Sequence, residues 1–306
     1  MKPRGFFVMI SVGIVCAGAD MAQAWLDPVP IWEVNSIHHE NTPFLSYDEK
    51  TLYFTRAGTP EFYNHRLYQA SRSNPNGHFT VVEELGSPMH HGSHVNRPWV
   101  SPDNLRMYYY ATEAGNVGAM KLSERSSVDE PWPQGQNVLE INMQGDIRGL
   151  SLTEDELSIF FRAKIPGGEG GYDIWTASRA SKDAAFSGFS NLYEMNTLFN
   201  EHDPFISPDG FTLYFSSDRN GPIRLFEATR DSLDEPFGPP GQLPFGDSPN
   251  VDISAPSLSA DGTRLYFTHR VDGGQLDIYV SYIPEPATIA FLGLGAVALR
   301  RRRVRR

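Results

Sequence analysis

Five times the chain repeats one short pattern: a hydroxyl residue, an aspartate two places on, then two adjacent aromatics. The copies are Ser46, Asp48, Tyr53 and Phe54; Ser101, Asp103, Tyr108 and Tyr109; and Thr153, Asp155, Phe160 and Phe161. They continue with Ser207, Asp209, Tyr214 and Phe215, and with Ser259, Asp261, Tyr266 and Phe267. The anchors lie 55, 52, 54 and 52 residues apart. A period near fifty with strand-like content demands small sheets arranged around an axis.

The fourth copy is the cleanest. Pro208, Asp209 and Gly210 are turn chemistry: proline presets φ, aspartate bonds its own backbone, and glycine accepts φ > 0. Residues 211–215 read as an aromatic strand, 217–221 as a second turn, and 224–230 as a third strand. A fourth strand follows around residues 242–245. The third strand recurs at Leu67, Ile174, Leu225 and Ile278, and more weakly at Ala119 and Met120. Phe79, Trp132, Phe186 and Phe237 lead into fourth strands. The fifth copy has no fourth strand after it, because the chain leaves it near Tyr282. Residues 25–34 look like a fourth strand placed before the first copy. The expected fold is therefore all-β: a five-bladed β-propeller closed by the N-terminal strand, which also hides two sheet edges.

This repeat resembles the WD40-like, TolB-type (PD40) propeller repeat over residues 25–282. The resemblance implies protein contacts through a propeller face. The repeated serines and aspartates themselves read as turn and packing residues, since a unique site does not need five copies.

The ends read as addresses. Residues 1–24 have Lys2 and Arg4, an apolar stretch and an Ala22, Gln23, Ala24 cleavage pattern, the layout of a secretory signal peptide. The one cysteine, Cys16, lies inside it, so no disulfide is expected in the exported chain. Residues 283–306 hold Pro284, Glu285 and Pro286, an apolar run over 289–299, and a terminal arginine cluster. That order resembles the PEP-CTERM sorting signal. The resemblance implies a Gram-negative-type bacterium that makes exopolysaccharide. It also implies export to the envelope or beyond, transient inner-membrane anchoring, and an exosortase-type processing enzyme as partner.

Removing residues 1–24 takes away two basic residues and one acidic one; removing 283–306 takes six basic and one acidic. What remains is 18 basic against 35 acidic residues, a net charge of −17. So acidic a body disfavours nucleic acid and anionic membranes. Cations, neutral glycans and proteins stay open as partners.

The loops that enter the innermost strands supply the candidate site. Seven places before each anchor stand His39, His94, Asp146, Asn200 and Asp252; five before stand Asn41, Asn96, Arg148, His202 and Ser254. Residues two apart on a strand share a side, so both sets are expected as polar rings at the mouth of the axial channel. Six of the nine histidines (His38, His39, His90, His91, His94 and His202) fall in these loops. His39, His94, Asp146 and Asp252 could ligate a divalent cation on the axis; a water-filled polar funnel is the other reading. No cofactor is otherwise indicated. A glycoside hydrolase with an axial carboxylate pocket needs two acidic groups, for which Asp146 and Asp252 are available, with Glu40 and Glu201 one position out of phase. The glycine-rich stretch 165–171 lacks the lysine and helix of a phosphate loop and reads as a hairpin. The leading expectation is a binding module for an envelope protein or matrix glycan, with no catalytic residues assigned.

Overall fold

The computed structural model describes residues 25–57, 65–87, 89, 94–112, 118–246 and 248–283. They form five four-stranded antiparallel sheets. The first blade is β2 (His39–Leu45), β3 (Thr51–Ala57), β4 (Arg66–Ser71) and β5 (Val81–Glu84). The second is β6 (His94–Val100), β7 (Arg106–Thr112), β8 (Gly118–Glu124) and β9 (Gln136–Asn137). The third is β10 (Asp146–Leu152), β11 (Ser158–Lys164), β12 (Asp173–Ser178) and β13 (Ser187–Asn191). The fourth is β14 (Glu201–Ile206), β15 (Thr212–Ser217), β16 (Arg224–Thr229) and β17 (Gly241–Gln242). The fifth comprises β18 (Val251–Leu258), β19 (Arg264–Val271) and β20 (Leu276–Tyr282), with β1 (Val29–Pro30) from the N-terminal side as its outer strand.

The inner strands pack in sequence, β2 on β6, β6 on β10, β10 on β14, β14 on β18 and β18 on β2. That series closes the ring. The clasp runs beyond the two ladder residues: Leu26 N–H donates to the Tyr282 carbonyl at 2.8 Å, and Ile31 N–H to that of Ile278 at 3.0 Å. Trp25 is buried against Phe245, ring centroids 6.3 Å apart.

The repeated pattern is a self-satisfied turn. Ser207 Oγ donates to Asp209 Oδ1 at 2.6 Å and accepts the Thr212 N–H at 2.9 Å; Asp209 Oδ1 also accepts the Phe211 N–H at 3.1 Å. The same bonds recur at Ser46, Ser101, Thr153 and Ser259. The paired aromatics behind each turn are buried, one ring on each side of its sheet.

In the first four blades a second repeated tie joins the far end of the third strand to this turn. Arg72, Arg125, Arg179 and Arg230 each donate Nε to a turn carbonyl, of Glu49, Asn104, Glu156 and Gly210, at 2.7 to 2.9 Å. Their guanidinium groups lie 4.0 to 4.7 Å from the ring centres of Phe79, Trp132, Phe186 and Phe237. The aromatic lead-ins are therefore half of a cation–π pair. In one of the loops that connect blades, Leu139–Asn142 form a single helical turn, α1, where the sequence suggests only a loop.

Candidate functional site

Each inner strand starts on one face of the ring, here the entry face, and ends at the repeated turn on the other. In all five blades the pairing of inner and second strand slips near its middle, between Asn41 and Phe44, Asn96 and Trp99, Ile147 and Leu150, His202 and Phe205, and Ser254 and Ser257. The residue four before each anchor takes a left-handed backbone there: Thr42 (φ 48°), Arg97 (55°), Gly149 (79°), Asp203 (47°) and Ala255 (53°). Proline follows in four of the five. It has no N–H to lose from the ladder, so it suits a bulge.

The bulge residues, rather than those at minus five and minus seven, line the axis. Arg97 of the second blade donates Nε to Asp203 of the fourth at 2.7 Å. These blades are not neighbours, so the ion pair crosses the axis. It passes the third blade at Gly149, where a Cβ would stand 2.6 Å from Arg97 Cδ. Arg162 adds a 2.6 Å bond to His202 Nδ1 and lies 3.9 Å from Asp203 Oδ1. Burial raises the Asp203 carboxyl, but Arg97 and Arg162 outweigh it and hold the group well below the usual carboxylate range. Burial, then Arg162, lowers His202 to about 4, so it is neutral at pH 7. Burial and the nearby Arg97 bring Arg162 down to about 10.

Toward the turn face the axis is filled by rings. Phe44 of the first blade meets Trp99 of the second at 6.0 Å and Phe205 of the fourth at 6.3 Å. Between this aromatic plug and the ion pair remains a cavity of about 40 Å³. That holds a few waters, far below the ~300–1,000 Å³ of ordinary small-molecule sites.

Residues 283–306 match the family described as the PEP-CTERM protein-sorting motif. The chain carries that sorting motif. It marks an exported protein and implies recognition by an exosortase-type processing enzyme. Pro284, Glu285 and Pro286 lie outside the described residues. The fold is similar to that of a TolB of Agrobacterium tumefaciens, at 16% identity and TM-score 0.51, covering 81% of this chain and 84% of that one. It is also similar to the α-L-arabinofuranosidase of Podospora anserina solved with cellotriose, at 14% identity and TM-score 0.57, covering 86% and 97%. The GH62 α-L-arabinofuranosidase catalytic domain of Coprinopsis cinerea matches at 12% identity and TM-score 0.57, covering 84% and 96%. At such identities the likeness is one of fold. No curated protein matches the chain.

Four of the five minus-seven residues sit at seams between blades. His39 Nδ1 accepts the Leu276 N–H at 3.1 Å, Asn200 Oδ1 that of Tyr172 at 3.1 Å, and Asp252 Oδ1 that of Ile223 at 3.1 Å. His94 Nδ1 faces the His65 N–H at 3.5 Å. In each case the donor belongs to the preceding blade. Asp146 is held by Arg148 at 3.1 Å and by the Tyr172 hydroxyl at 2.5 Å. Asp252 also pairs with Arg270. Among the described residues no group of three or more His, Cys, Asp or Glu is placed to hold a metal ion. His39, His94, Asp146 and Asp252 thus do not converge as a ligand set.

Glu40 and Glu201 are buried and committed elsewhere. Glu40 binds Ser36 and Arg56, at 2.6 Å each; Glu201 binds Thr197 at 2.8 Å, Ser217 at 2.9 Å and Arg219 at 3.0 Å. Each carboxylate ties down the loop four residues upstream. Burial still raises the Glu201 carboxyl above its ordinary value.

Of the minus-five residues, Asn96 and His202 join the axial network; Asn96 Oδ1 accepts Arg97 Nη1 at 3.2 Å. Arg148 stands beside it on the half-buried Tyr172 ring, 5.4 Å from its centre, while Asn41 bonds Thr42 at 3.3 Å. Ser254 is half-buried on β18 at the same level. Arg97, Asp203, Arg162 and Tyr172 escape a reading by strand alternation. The recurring proline after the bulge is the signal that could have found the first two.

Both ends of the ring leave by the turn face. β20 runs toward it, and Ile283 N–H bonds the Thr263 carbonyl in the fifth repeated turn at 2.9 Å. No helix among the described residues is long and apolar enough to cross a membrane.

Proposed function

We propose that the protein is an exported, envelope- or surface-associated propeller that works by binding, taking a protein or extracellular glycan on its entry face. In this reading residues 1–24 are removed as a leader. Residues 283–306 anchor the chain transiently in the inner membrane until an exosortase-type enzyme processes them. The ring of residues 25–282 is the working domain.

One observation carries the reading: the axis is closed by the Arg97–Asp203 pair over the Phe44, Trp99 and Phe205 plug, leaving about 40 Å³. A deep axial pocket with two free carboxylates would favour hydrolysis. Here Asp146 and Asp252 are each engaged by an arginine. A shallow polar floor suits a ligand that lies across it, touching Asn41, Asn96, Arg148, His202 and Ser254. Exposed Trp32, Ile37, Met143 and Leu198, all in loops that enter inner strands, add apolar contacts around it. The sorting motif leaves from the opposite face, so an anchored chain presents this floor away from the membrane.

The test has two arms. Fractionation of cells carrying the wild-type gene should place the protein in the envelope or medium, with the mass of residue 25 onward at its N-terminus. Purified protein should leave aryl-arabinosides and aryl-glucosides intact. Turnover that is lost in both Asp146→Asn and Asp252→Asn would replace the binding reading with a catalytic one.

A further inference from the structure

The net charge of the ring argues against anionic ligands, yet one part of the entry face concentrates arginines. Three guanidinium groups, Arg97, Arg148 and Arg162, gather between the second and fourth blades, the last two on Tyr172. Arg148 lies 5.4 Å and Arg162 4.7 Å from the tyrosine ring centre. Only two carboxylates answer them: Asp203 for Arg97 and Asp146 for Arg148. Arg162 is buried, and its Nε finds no partner. At the rim, Lys164 across the strand from Asp146, and Asp218 bonded to Asn200, offset one another. Asp173, the first residue of β12, is buried with its carboxylate bonded to the Asn191 amide at 3.3 Å, so the neighbourhood is neutral as a whole and its exposed cation is Arg148.

Distance keeps the repeated aspartates of the turn face out of this local balance. The repeated aspartates, Asp48, Asp103, Asp155, Asp209 and Asp261, lie at the far ends of six- to eight-residue inner strands, roughly 20 Å away. The screening length at physiological salt is about 8 Å. A ligand at Arg148 therefore feels the local arginines far more than the distant aspartates.

The cluster is also reachable. The side chains of Arg148 and Asp146 are 42% and 43% exposed. Neutral His202, with Nδ1 taken by Arg162, carries its hydrogen on Nε2 and can donate it. Asn41 and Ser254, at the same level on their strands, are uncharged donors and acceptors suited to hydroxyl groups. The half-buried Tyr172 ring supplies an apolar flank.

We propose that this cluster binds a sugar bearing a carboxylate, so that the ligand of the entry face is an acidic glycan. The proposal rests on the binding reading above and names its ligand class. Arg148 is the fork that receives the carboxylate, displacing Asp146 from it. Asp146 is then an internal competitor, a role distinct from that of a catalytic acid or a metal ligand.

The purified full-length chain would be titrated by calorimetry with oligogalacturonate and oligomannuronate, with neutral cello-oligosaccharide, and with poly-glutamate. At least one oligouronide should bind, the neutral sugar at least tenfold more weakly. Arg148→Gln should weaken binding roughly 10- to 100-fold, with Arg148→Lys between. Asp146→Asn should strengthen it several-fold, a gain that a structural role for this pair does not produce. Absence of binding by both oligouronides at millimolar concentration would overturn the proposal, as would unchanged affinity in Arg148→Gln or loss of affinity in Asp146→Asn in protein that melts like wild type. Tighter binding of poly-glutamate would assign the cluster to acidic peptides instead. Binding of the neutral sugar alone would remove the proposal and leave the binding reading standing. An oligouronide recovered as shorter fragments would sink that reading itself.

Discussion

The two faces of the ring are built on opposite principles. At the turn face, five turns carry the same hydroxyl–aspartate bonds, and four of the five blades add the same arginine tie. Along the axis the five equivalent bulge residues are threonine, arginine, glycine, aspartate and alanine. A turn is a local problem, solved once per blade by the same chemistry. An axis is a single space shared by all blades, and five copies of one large side chain cannot occupy it. Repetition therefore marks scaffold, and broken symmetry marks the place where something is done once.

The sharpest way to test this contrast is at the plug. Trp99 is buried and touches Phe44 and Tyr108. The equivalent positions in the third and fifth blades are Ser151 and Ser257, whose hydroxyls accept the Ile206 and Leu45 N–H of the next blade. Trp99→Ala should cost about 3–5 kcal/mol in urea denaturation. A loss under about 1 kcal/mol would mean the rings do not fill the axis as described.

Next in size is the axial ion pair. Asp203→Asn leaves Arg97 and Arg162 facing each other without a counter-charge and should cost about 3 kcal/mol. The double variant Asp203→Asn with Arg97→Met should be more stable than Asp203→Asn alone, because it also removes the orphaned charge. Additive losses in the cycle would show that the two side chains do not interact across the axis.

The strand count, the turn chemistry and the paired aromatics are legible in the sequence because each depends on residues close to one another in the chain. The closure by the N-terminal segment, whose partner strand lies at the other end of the ring, is legible because the fifth copy has no fourth strand after it. The entry-face site is only half legible. Alternation carries His202 and Asn96 to the axial network, but it breaks at the bulge. A one-residue insertion in the pairing puts minus four, rather than minus five, on the axis. The seam role of His39, Asn200 and Asp252 is invisible for a different reason. Their partners are backbone N–H groups of the preceding blade, 28 and 29 residues upstream for Asn200 and Asp252 and at the far end of the chain for His39. The arginine tie could have been read, since Arg72, Arg125, Arg179 and Arg230 stand at similar offsets from their anchors, but its partner is a carbonyl with no sequence signature.

Acid should separate the two faces as well. Burial lowers His202 and His65 to about 4, assisted by Arg162 at the first and by His94 at the second. In the unfolded chain both titrate near 6.5. Between these values the unfolded state binds protons that the folded state refuses, so stability falls as pH drops from about 6.5 to 4. For the two histidines together the loss should reach several kcal/mol. His202→Gln should flatten part of that slope, as read from denaturation midpoints at a series of pH values. Asp261 of the fifth turn acts lower: hydrogen bonds from Ser259 and Thr263, with Arg264, outweigh burial and hold it at about 2. Its contribution is present above the ordinary aspartate value and disappears only as pH falls below about 4 toward 2. A pH profile flat down to 4 would contradict the neutral, buried state of both histidines.

The smallest effect is the most direct measure of symmetry. Ser46→Ala, Ser101→Ala, Ser207→Ala and Ser259→Ala each remove the same bonds: one donated to an aspartate and one accepted from the N–H that opens the second strand. Each should cost about 1 kcal/mol, and the four values should agree within about 0.5 kcal/mol, because each turn is a closed local unit. The equivalent scan at the bulge, Thr42→Ala, Arg97→Ala and Asp203→Ala, should scatter over several kcal/mol. Thr42 loses only bonds to Thr55 and Asn41, whereas the other two uncover buried charge. If the serine series spread as widely as the bulge series, the turns would not be equivalent, and repetition would no longer distinguish scaffold from site.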